Sequence, residues 1–140
     1  MDVEVTQANG YAERETAIKL LERNNSRERR TVSADKAYDT TQFVADCRER
    51  SVTPQVGMNI TDHRGSAIDA RTTRHAGYLA SQRVRKRIEE CFGWSKDGRP
   101  LRKMKLYGKP KVEFLTTLTV GIYTLLRVTN LLRPPALAPA

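Results

Sequence analysis

The sequence predicts an α/β fold in which helices flank a sheet. Its patterns run strand, helix, strand, helix, strand before a helical C-terminal part, and this order is typical of such folds. The 140 residues are 39% hydrophobic, enough for one modest core. The longest apolar run, residues 112–126, is shorter than the roughly 20 residues that span a bilayer, and it contains Glu113. We therefore expect one domain over residues 1–132 and no membrane span.

The first two elements are a strand and a helix. Residues 2–7, DVEVTQ, alternate polar and apolar side chains as a half-buried strand does. Residues 11–24 are predicted to be helical, entered through Asn9-Gly10 and acidic in the first turn. The predicted buried stripe of this helix consists of Ala17, Ile18, Leu20 and Leu21.

A second strand, helix and strand follow. Residues 31–39 begin as a short strand, and Asp35 falls where that strand ends. Thr40 or Thr41 is suited to cap a helix over residues 41–50, with Phe43, Val44 and Cys47 on one face. Residues 52–58, VTPQVGM, form the third strand, at an edge because Pro54 has no N–H to donate.

The C-terminal half is predicted to be helical after a polar interruption. Residues 59–78 are expected to be an irregular loop or insertion, followed by a long basic helix over about 79–97. The last helix, 112–132, contains the apolar run and is expected to be buried, and the tail, 133–140, is expected to be disordered.

The charge of the chain is concentrated in one segment. The formal net charge is +9, yet thirteen Lys and Arg against three Asp and Glu between Arg71 and Lys111 already give +10. Such a segment favours a polyanionic partner, most often nucleic acid; the alternative is a solvated basic face without a partner. No signal peptide is recognisable at the start of the sequence, and Cys47 and Cys91 form no metal or disulfide pattern. We expect a reducing, cytoplasmic setting.

An acidic residue lies within the basic helix. At about 100° per residue, Gln82, Arg85, Glu89 and Lys96 lie within about 40° of one line and form one polar face. Val84, Ile88 and Cys91 lie on another side, which is expected to pack against the sheet. A carboxylate among cations beside a polyanion is typical of a magnesium-dependent nuclease or strand-transfer site. The alternative is an ordinary Arg85–Glu89 helix pair, which the spacing alone favours.

Asp35 offers a second carboxylate. It lies at a strand end, where α/β sheets present functional groups. The alternative is a turn or capping aspartate, again favoured without other information. Asp39 is more simply interpreted as a helix cap.

These stretches resemble the C-terminal half of DDE transposases of bacterial insertion sequences. The similarity is carried by ADKAYDTTQFVADCR, VTPQV, SAIDARTTRHAGYLASQRVRKRIEECFGW and YTLLRVTNLL, and it covers about residues 2–132. Within this family, the stretches resemble the insertion-sequence-five group. The DDE domain of that group is of the type named after insertion sequence four. Its signature is Tyr, two residues, Arg, three residues, Glu, six residues, Lys; Arg85, Glu89 and Lys96 match, while Gln82 takes the Tyr position.

The resemblance implies an RNase H-like fold and a divalent-metal site. Asp35 matches the second catalytic aspartate of the family, within its Asp-Lys-x-Tyr-Asp motif, and Glu89 the third carboxylate. Two Mg²⁺ ions would activate water, and later a DNA 3′-hydroxyl, for in-line attack on phosphodiesters. The DNA cradle would consist of Gln82, Arg85, Lys86, Arg87, Lys96, Arg102 and Lys103.

One departure from the family pattern shapes the functional hypothesis. The first catalytic aspartate of the family lies upstream of the segment that matches Met1, so we expect an incomplete RNase H-like core that lacks the first two strands. This chain would bind the terminal inverted repeats of transposon double-stranded DNA but would not catalyse transposition alone. An upstream reading frame would be the source of the missing part, and the expected protein partners are a second copy of the chain or a full-length transposase.

Two alternatives from other functional classes stay open. In one, the chain is a basic DNA-binding or transposase-interacting remnant, located with the bacterial nucleoid. In the other, weaker because aromatic residues make up only 6% of the chain, it is a structural RNA-binding protein.

Overall fold

A computed structural model of the chain describes residues 2–7, 9–24, 28–61, 65–97 and 101–133. The chain divides into two compact units, a first unit of Thr6–Glu90 and a second unit of Met1–Val5 with Cys91–Ala140. The described elements in chain order are α1 (Ala12–Arg23), β1 (Arg30–Ala34), a 3₁₀ turn (Lys36–Tyr38), α2 (Thr41–Glu49), β2 (Val52–Val56), α3 (Ala70–Thr73), α4 (Ala76–Val84), α5 (Lys86–Lys96) and α6 (Lys109–Leu132).

The sheet of the first unit consists of two parallel strands joined by α2. Arg30 is opposite Val52, and the register continues to Ala34 opposite Val56. Along β2, Val52, Pro54 and Val56 are buried and alternate with half-buried residues. Both strands of this described sheet are edge strands, a position that tolerates Pro54.

The core of the first unit forms where α2 packs against β2. Phe43, Val44 and Cys47 are at most 2% exposed, as the pattern of α2 predicted. The buried residues packed with them come from α1, β2, the 59–69 segment and α4, namely Ile18, Val52, Val56, Ile68 and Tyr78. Burial raises the pKa of the Cys47 thiol to about 11, so this cysteine is a neutral packing group at physiological pH.

Two polar side chains accept hydrogen bonds from backbone amides at the starts of α1 and α2, the two helices that the sequence predicted in this part of the chain. Asn9 Oδ1 accepts hydrogen bonds from the amides of Tyr11 and Ala12, at 3.1 and 2.5 Å, at the start of α1. Thr40 Oγ1 accepts from the amide of Phe43 at 3.3 Å and caps α2. The entry to α1 and the cap of α2 are therefore set locally.

The predicted strand over residues 2–7 is wrong, because these residues adopt no regular structure. An alternating pattern forms a strand only where a neighbouring strand completes its hydrogen bonds. Among the described residues, β1 and β2 pair only with each other.

The 59–78 segment is more ordered than the sequence predicted. Asp39 accepts hydrogen bonds from the amides of Asn59 (2.6 Å) and Ala67 (2.9 Å), so it holds this segment and does not cap α2. α3 and the start of α4 also lie within it. Ile68 and Thr72 are 3% and 2% exposed, which explains the order, because their burial fixes the backbone around them.

Asp69 gives the first unit a pH-dependent contact. Its carboxylate caps α3 and binds Arg71 (2.7 Å) and Arg48 (2.9 Å). The Arg71 hydrogen bond, with the nearby Arg48 charge, lowers the pKa of Asp69 to about 2. Because this folded-state pKa lies below the unfolded value of about 3.9, the stabilisation is present above pH ~4 and is lost as the pH falls towards 2.

We expect Asp69→Asn, which keeps a capping oxygen but carries no charge, to flatten the acid limb of the stability curve. Urea unfolding between pH 5 and pH 2.5 should show a smaller loss of the free energy of unfolding in Asp69→Asn than in the wild type. The two proteins differ only in this one side chain, so the difference between the two losses reports Asp69. Parallel curves would contradict the assignment.

The predicted basic helix over 79–97 is present as two abutting helices. α4 ends at Val84 and α5 begins at Lys86, with Arg85 between them in helical conformation. Val84 is 47% exposed, so the predicted packing of its face on the sheet is wrong for this residue. The side chains of Lys86 and Ile88 lie outside the described part of the structure.

The second unit contains the last helix, and the prediction that this helix is buried is wrong. Only Thr119 and Val120 of α6 are buried. The ring of Tyr123 lies 5.5 Å from that of Trp94 in α5. By length and composition alone α6 is apolar enough to cross a membrane, and among the described residues it is the one such helix. The predicted disordered tail lies outside the described residues beyond Arg133.

Candidate functional site

The candidate site begins at the carboxyl edge of the β1–β2 sheet. Ala34 and Val56 form the last register pair, and the Gly57 amide donates to the Ala34 carbonyl at 3.4 Å. The next residues, Asp35 and Gly57, therefore leave adjacent parallel strands at the same edge. This is the edge at which α/β sheets present functional groups.

Asp35 lies at this edge with its side chain exposed. One carboxylate oxygen, Oδ1, accepts from the Ala37 amide and begins the 3₁₀ turn. The capping role that was the simpler interpretation is therefore present in the structure. It leaves the carboxylate at the surface, where a cation or a nucleic acid has access to it.

Helix α4 is held on the end of β2 by two side chains. The Tyr78 hydroxyl donates to the Val56 carbonyl at 3.2 Å, and Gln82 Nε2 donates to the Gln55 carbonyl at 3.2 Å. Burial raises the pKa of Tyr78, so the phenol stays protonated and able to donate. One turn of helix separates these two residues, and together they fix the face that α4 presents to the strand end.

Arg85 lies against the backbone of Gly57. A Cβ atom at residue 57 would overlap Nη1 of Arg85 and would lie 3.5 Å from its Cζ and 3.6 Å from Gln82 Oε1. Only a glycine leaves room for the guanidinium in this position. Gln82 and Arg85, which the helical wheel placed on one face, thus meet at the same strand end.

We expect Gly57→Ala to displace the Arg85 guanidinium while leaving the fold intact. The clash involves the far end of a flexible side chain, so the thermal midpoint should change little, whereas one phosphate contact in any bound DNA should be lost, weakening binding several-fold. Fluorescence anisotropy with labelled duplex DNA and a thermal melt measure the two effects. The matched control is Gly93→Ala, where a Cβ meets nothing within 4 Å. Equal binding by both variants would show that the position of Arg85 does not matter.

The remaining predicted residues lie on exposed surfaces. Glu89 and Arg87 are exposed on α5, one turn or less beyond Arg85, and no ion pair of the described residues joins Arg85 to Glu89. Lys96, Arg102 and Lys103 are exposed in the second unit. The structure therefore brings Asp35, Gln82 and Arg85 to one sheet edge, with Glu89 one helical turn beyond Arg85.

The acidic side chains fit Mg²⁺ in type. Mg²⁺ prefers carboxylate oxygens and usually takes one or two from protein, completing its shell with water and substrate phosphate. Asp35 and Glu89 supply such donors at exposed positions. Across the described ranges, no group of three or more His, Cys, Asp or Glu side chains is assembled that could hold a metal ion.

Sequence reasoning missed two residues of this edge, Gly57 and Tyr78. Gly57 directly follows a strand of alternating burial, a position at which glycine often marks close backbone approach. Tyr78 lies four residues before Gln82, on the same helical face, so the wheel that grouped Gln82 with Arg85 could have included it.

A comparison with protein families decides how this geometry is interpreted. Residues 1–125 match the model of the transposase DDE domain. The chain belongs to the DDE transposase family. No curated protein and no solved structure matches the chain. This family acts on DNA and generally uses divalent metal ions. The basic segment and the carboxylates Asp35 and Glu89 lie within the residues that match the family model.

Proposed function

We propose that this chain is the C-terminal part of a DDE transposase catalytic domain of RNase H-like fold. It binds the terminal inverted repeats of transposon DNA and contributes Asp35 and Glu89 to Mg²⁺-dependent cleavage and strand transfer. The observation that carries the proposal is the sheet edge at which Asp35 and the Arg85–Gly57 contact follow adjacent strands. The family match over residues 1–125 supports the reaction class.

The roles of the residues follow from their chemistry. Asp35 and Glu89 would hold Mg²⁺, which when bound supplies Lewis-acid activation of the attacking oxygen and the phosphodiester. Arg85, seated on Gly57 and flanked by Gln82, would bind a phosphate next to the scissile one. Lys86 and Arg87, and Lys96, Arg102 and Lys103 of the second unit, would bind other phosphates of the DNA.

Catalysis would need a third carboxylate from outside this chain. By the resemblance described above, no acidic residue of the sequence takes the place of the first aspartate of the family pattern, which leaves two of its three carboxylates in this chain. We propose that a polypeptide encoded by an upstream reading frame, or a full-length transposase at the nucleoid, supplies it.

The test is a cleavage assay on duplex DNA that carries a terminal inverted repeat. We expect the chain alone, with Mg²⁺, to bind but not to cut, and cutting to appear when a polypeptide encoding the upstream part of the domain is added. Asp35→Asn and Glu89→Gln should each abolish that activity while binding is retained. Lys96→Gln serves as a control, expected to weaken binding without abolishing cleavage.

Two results would overturn parts of this proposal. Cleavage by the chain alone that disappears in Glu89→Ala would refute the need for a third carboxylate. Full activity of the complemented Asp35→Asn and Glu89→Gln variants would remove both residues from the site.

A second candidate function is a DNA-binding remnant that competes with or joins a full-length transposase. The observation that favours it is the +10 charge of residues 71–111, in which Arg83, Arg87 and Lys96 are exposed. This function would be supported over the catalytic one if the chain binds duplex DNA in a salt-sensitive way but no cleavage appears when the upstream polypeptide is added.

A further inference from the structure

The connection between α5 and α6 is cationic and contains no acidic residue. Residues 102–111, here the basic connection, hold five Lys and Arg against no Asp or Glu, which gives a charge of +5. All five are exposed, and no hydrogen bond or ion pair joins their side chains to another described residue. In the first unit, by contrast, Arg48 and Arg50 lie 2.9 and 2.7 Å from carboxylates. The cations of the basic connection are Arg102, Lys103, Lys105, Lys109 and Lys111.

One side chain of the basic connection is aromatic and almost fully exposed. Tyr107 is 91% exposed, more than any other large hydrophobic side chain that the structure describes. Its ring contacts no other ring or guanidinium among the described residues. Gly108 follows it with a φ of 95°, a conformation that favours glycine, and α6 begins at the next residue. Both faces of the Tyr107 ring are therefore open, directly before a turn.

The stability of α6 does not explain the lysines at the end of the basic connection. Lys109 and Lys111 lie in the first turn of α6, which contains no acidic side chain. Cations are unfavourable at this end of a helix, because the first amides give it a partial positive charge. The positive charges of the connection are thus placed together against the preference of the helix, and an anionic partner would offset this.

The combination of cations and an open ring narrows the class of partner. Phosphates of any nucleic acid would bind the cations. In a closed duplex, however, each base is covered by its neighbours, whereas an unpaired strand offers base faces on which an aromatic side chain stacks. Proteins that bind single strands combine positive charge with such aromatic platforms. Tyr107 between Lys105 and Lys109 is this combination.

We propose that the basic connection binds a single-stranded stretch of DNA, with Tyr107 stacked on an unpaired base and the flanking lysines on its phosphates. The proposal rests on the proposed function, because cutting DNA at a transposon end frees strands that unpair. It adds Lys105, Tyr107, Lys109 and Lys111 to the DNA-binding residues, all of them in the second unit.

The experiment is fluorescence anisotropy of the full chain with labelled oligothymidine and with the duplex that it forms with oligoadenosine. Tyr107→Ala should weaken binding of the single strand by about 5- to 100-fold and change duplex affinity by no more than about twofold. Tyr107→Phe keeps the ring and should bind as the wild type does. The matched control is Tyr11→Ala, since Tyr11 is also exposed, at 71%, but lies outside the connection.

A salt series separates stacking from charge. Lys105→Gln should make the slope of log K against log salt less negative by about 0.7 on the single strand. Tyr107→Ala removes no charge, so it should lower the affinity and leave this slope unchanged. Because both side chains are exposed, the circular dichroism spectrum and thermal melt of each variant should match those of the wild type.

Three results would overturn the proposal. Equal affinity of Tyr107→Ala and Tyr107→Phe for the single strand would do so while leaving duplex binding by the first unit intact. A wild type that binds neither form of DNA would overturn it together with the proposed function. Tighter binding of oligouridine than of oligothymidine would assign the basic connection to RNA instead.

Discussion

Neutralising Arg85, Lys86 and Arg87 together, each to Gln, is expected to weaken duplex DNA binding by about 10- to 100-fold at moderate salt. Arg85 lies at the carboxyl edge of the sheet against Gly57, and Arg87 is exposed at the start of α5. If each of the three cations releases one counterion, the slope of log K against log salt should become less negative by about 2.7. Fluorescence anisotropy titrations over a salt series measure the affinity and the slope together.

The matched control neutralises three exposed cations outside the basic segment, Lys19, Arg23 and Arg29. Both triple variants lose three positive charges, so long-range attraction falls by the same amount in each. We expect the control to keep most of the wild-type affinity and nearly all of its salt slope. Equal losses in the two variants would mean that net charge, and not this segment, binds the duplex.

Glu89→Ala distinguishes the proposed metal-binding role of Glu89 from a role in DNA binding. Removing a carboxylate from a basic surface should leave DNA affinity unchanged or slightly higher, because a repulsive charge is lost. A large loss of DNA binding in Glu89→Ala would show that this residue organises the basic helix instead.

Preference of the wild type for single-stranded RNA over duplex DNA would favour the RNA-binding alternative.

The elements that the sequence predicted are those whose signals are local. Thr40 caps α2 from within its own turn, and the buried positions of α2 follow from its helical spacing alone. The alternation along β2 and the position of Asp35 after β1 are likewise read from neighbouring residues. These predictions needed no knowledge of which element packs against which.

The predictions that were wrong, and the contacts that were missed, depend on residues that are distant in the chain. Residues 2–7 have the alternation of a strand but no neighbouring strand among the described residues, and α6 has apolar residues but little to cover them. The Arg85–Gly57 contact joins residues 28 positions apart, so the helical wheel could group Arg85 with Gln82 but not place either at β2. The roles of Asp35 and Glu89 stay predictions, because the proposed chemistry involves a metal ion and a third carboxylate that the sequence pattern alone does not place.

The second large effect concerns the stability of the first unit. Phe43→Ala is expected to lower the free energy of unfolding by about 3–5 kcal/mol. Phe43 is 2% exposed, packs in the core with Val44 and Val56, and meets the ring of Tyr38 edge-on at 5.1 Å. Because small domains have only about 5–15 kcal/mol in total, this loss would leave the unit close to unfolding at 37 °C.

Urea denaturation followed by circular dichroism measures this loss, with Phe92→Ala as the matched control. Phe92 is 58% exposed, so its truncation should change the free energy of unfolding by only about 0.5 kcal/mol. The comparison also tests whether a two-stranded sheet supports an independent core. A sheet of two strands is rarely stable unless helices pack against it. A broad wild-type transition with no midpoint, or equal effects of the two variants, would mean that the α2–β2 core forms only when the remainder of a transposase domain is present.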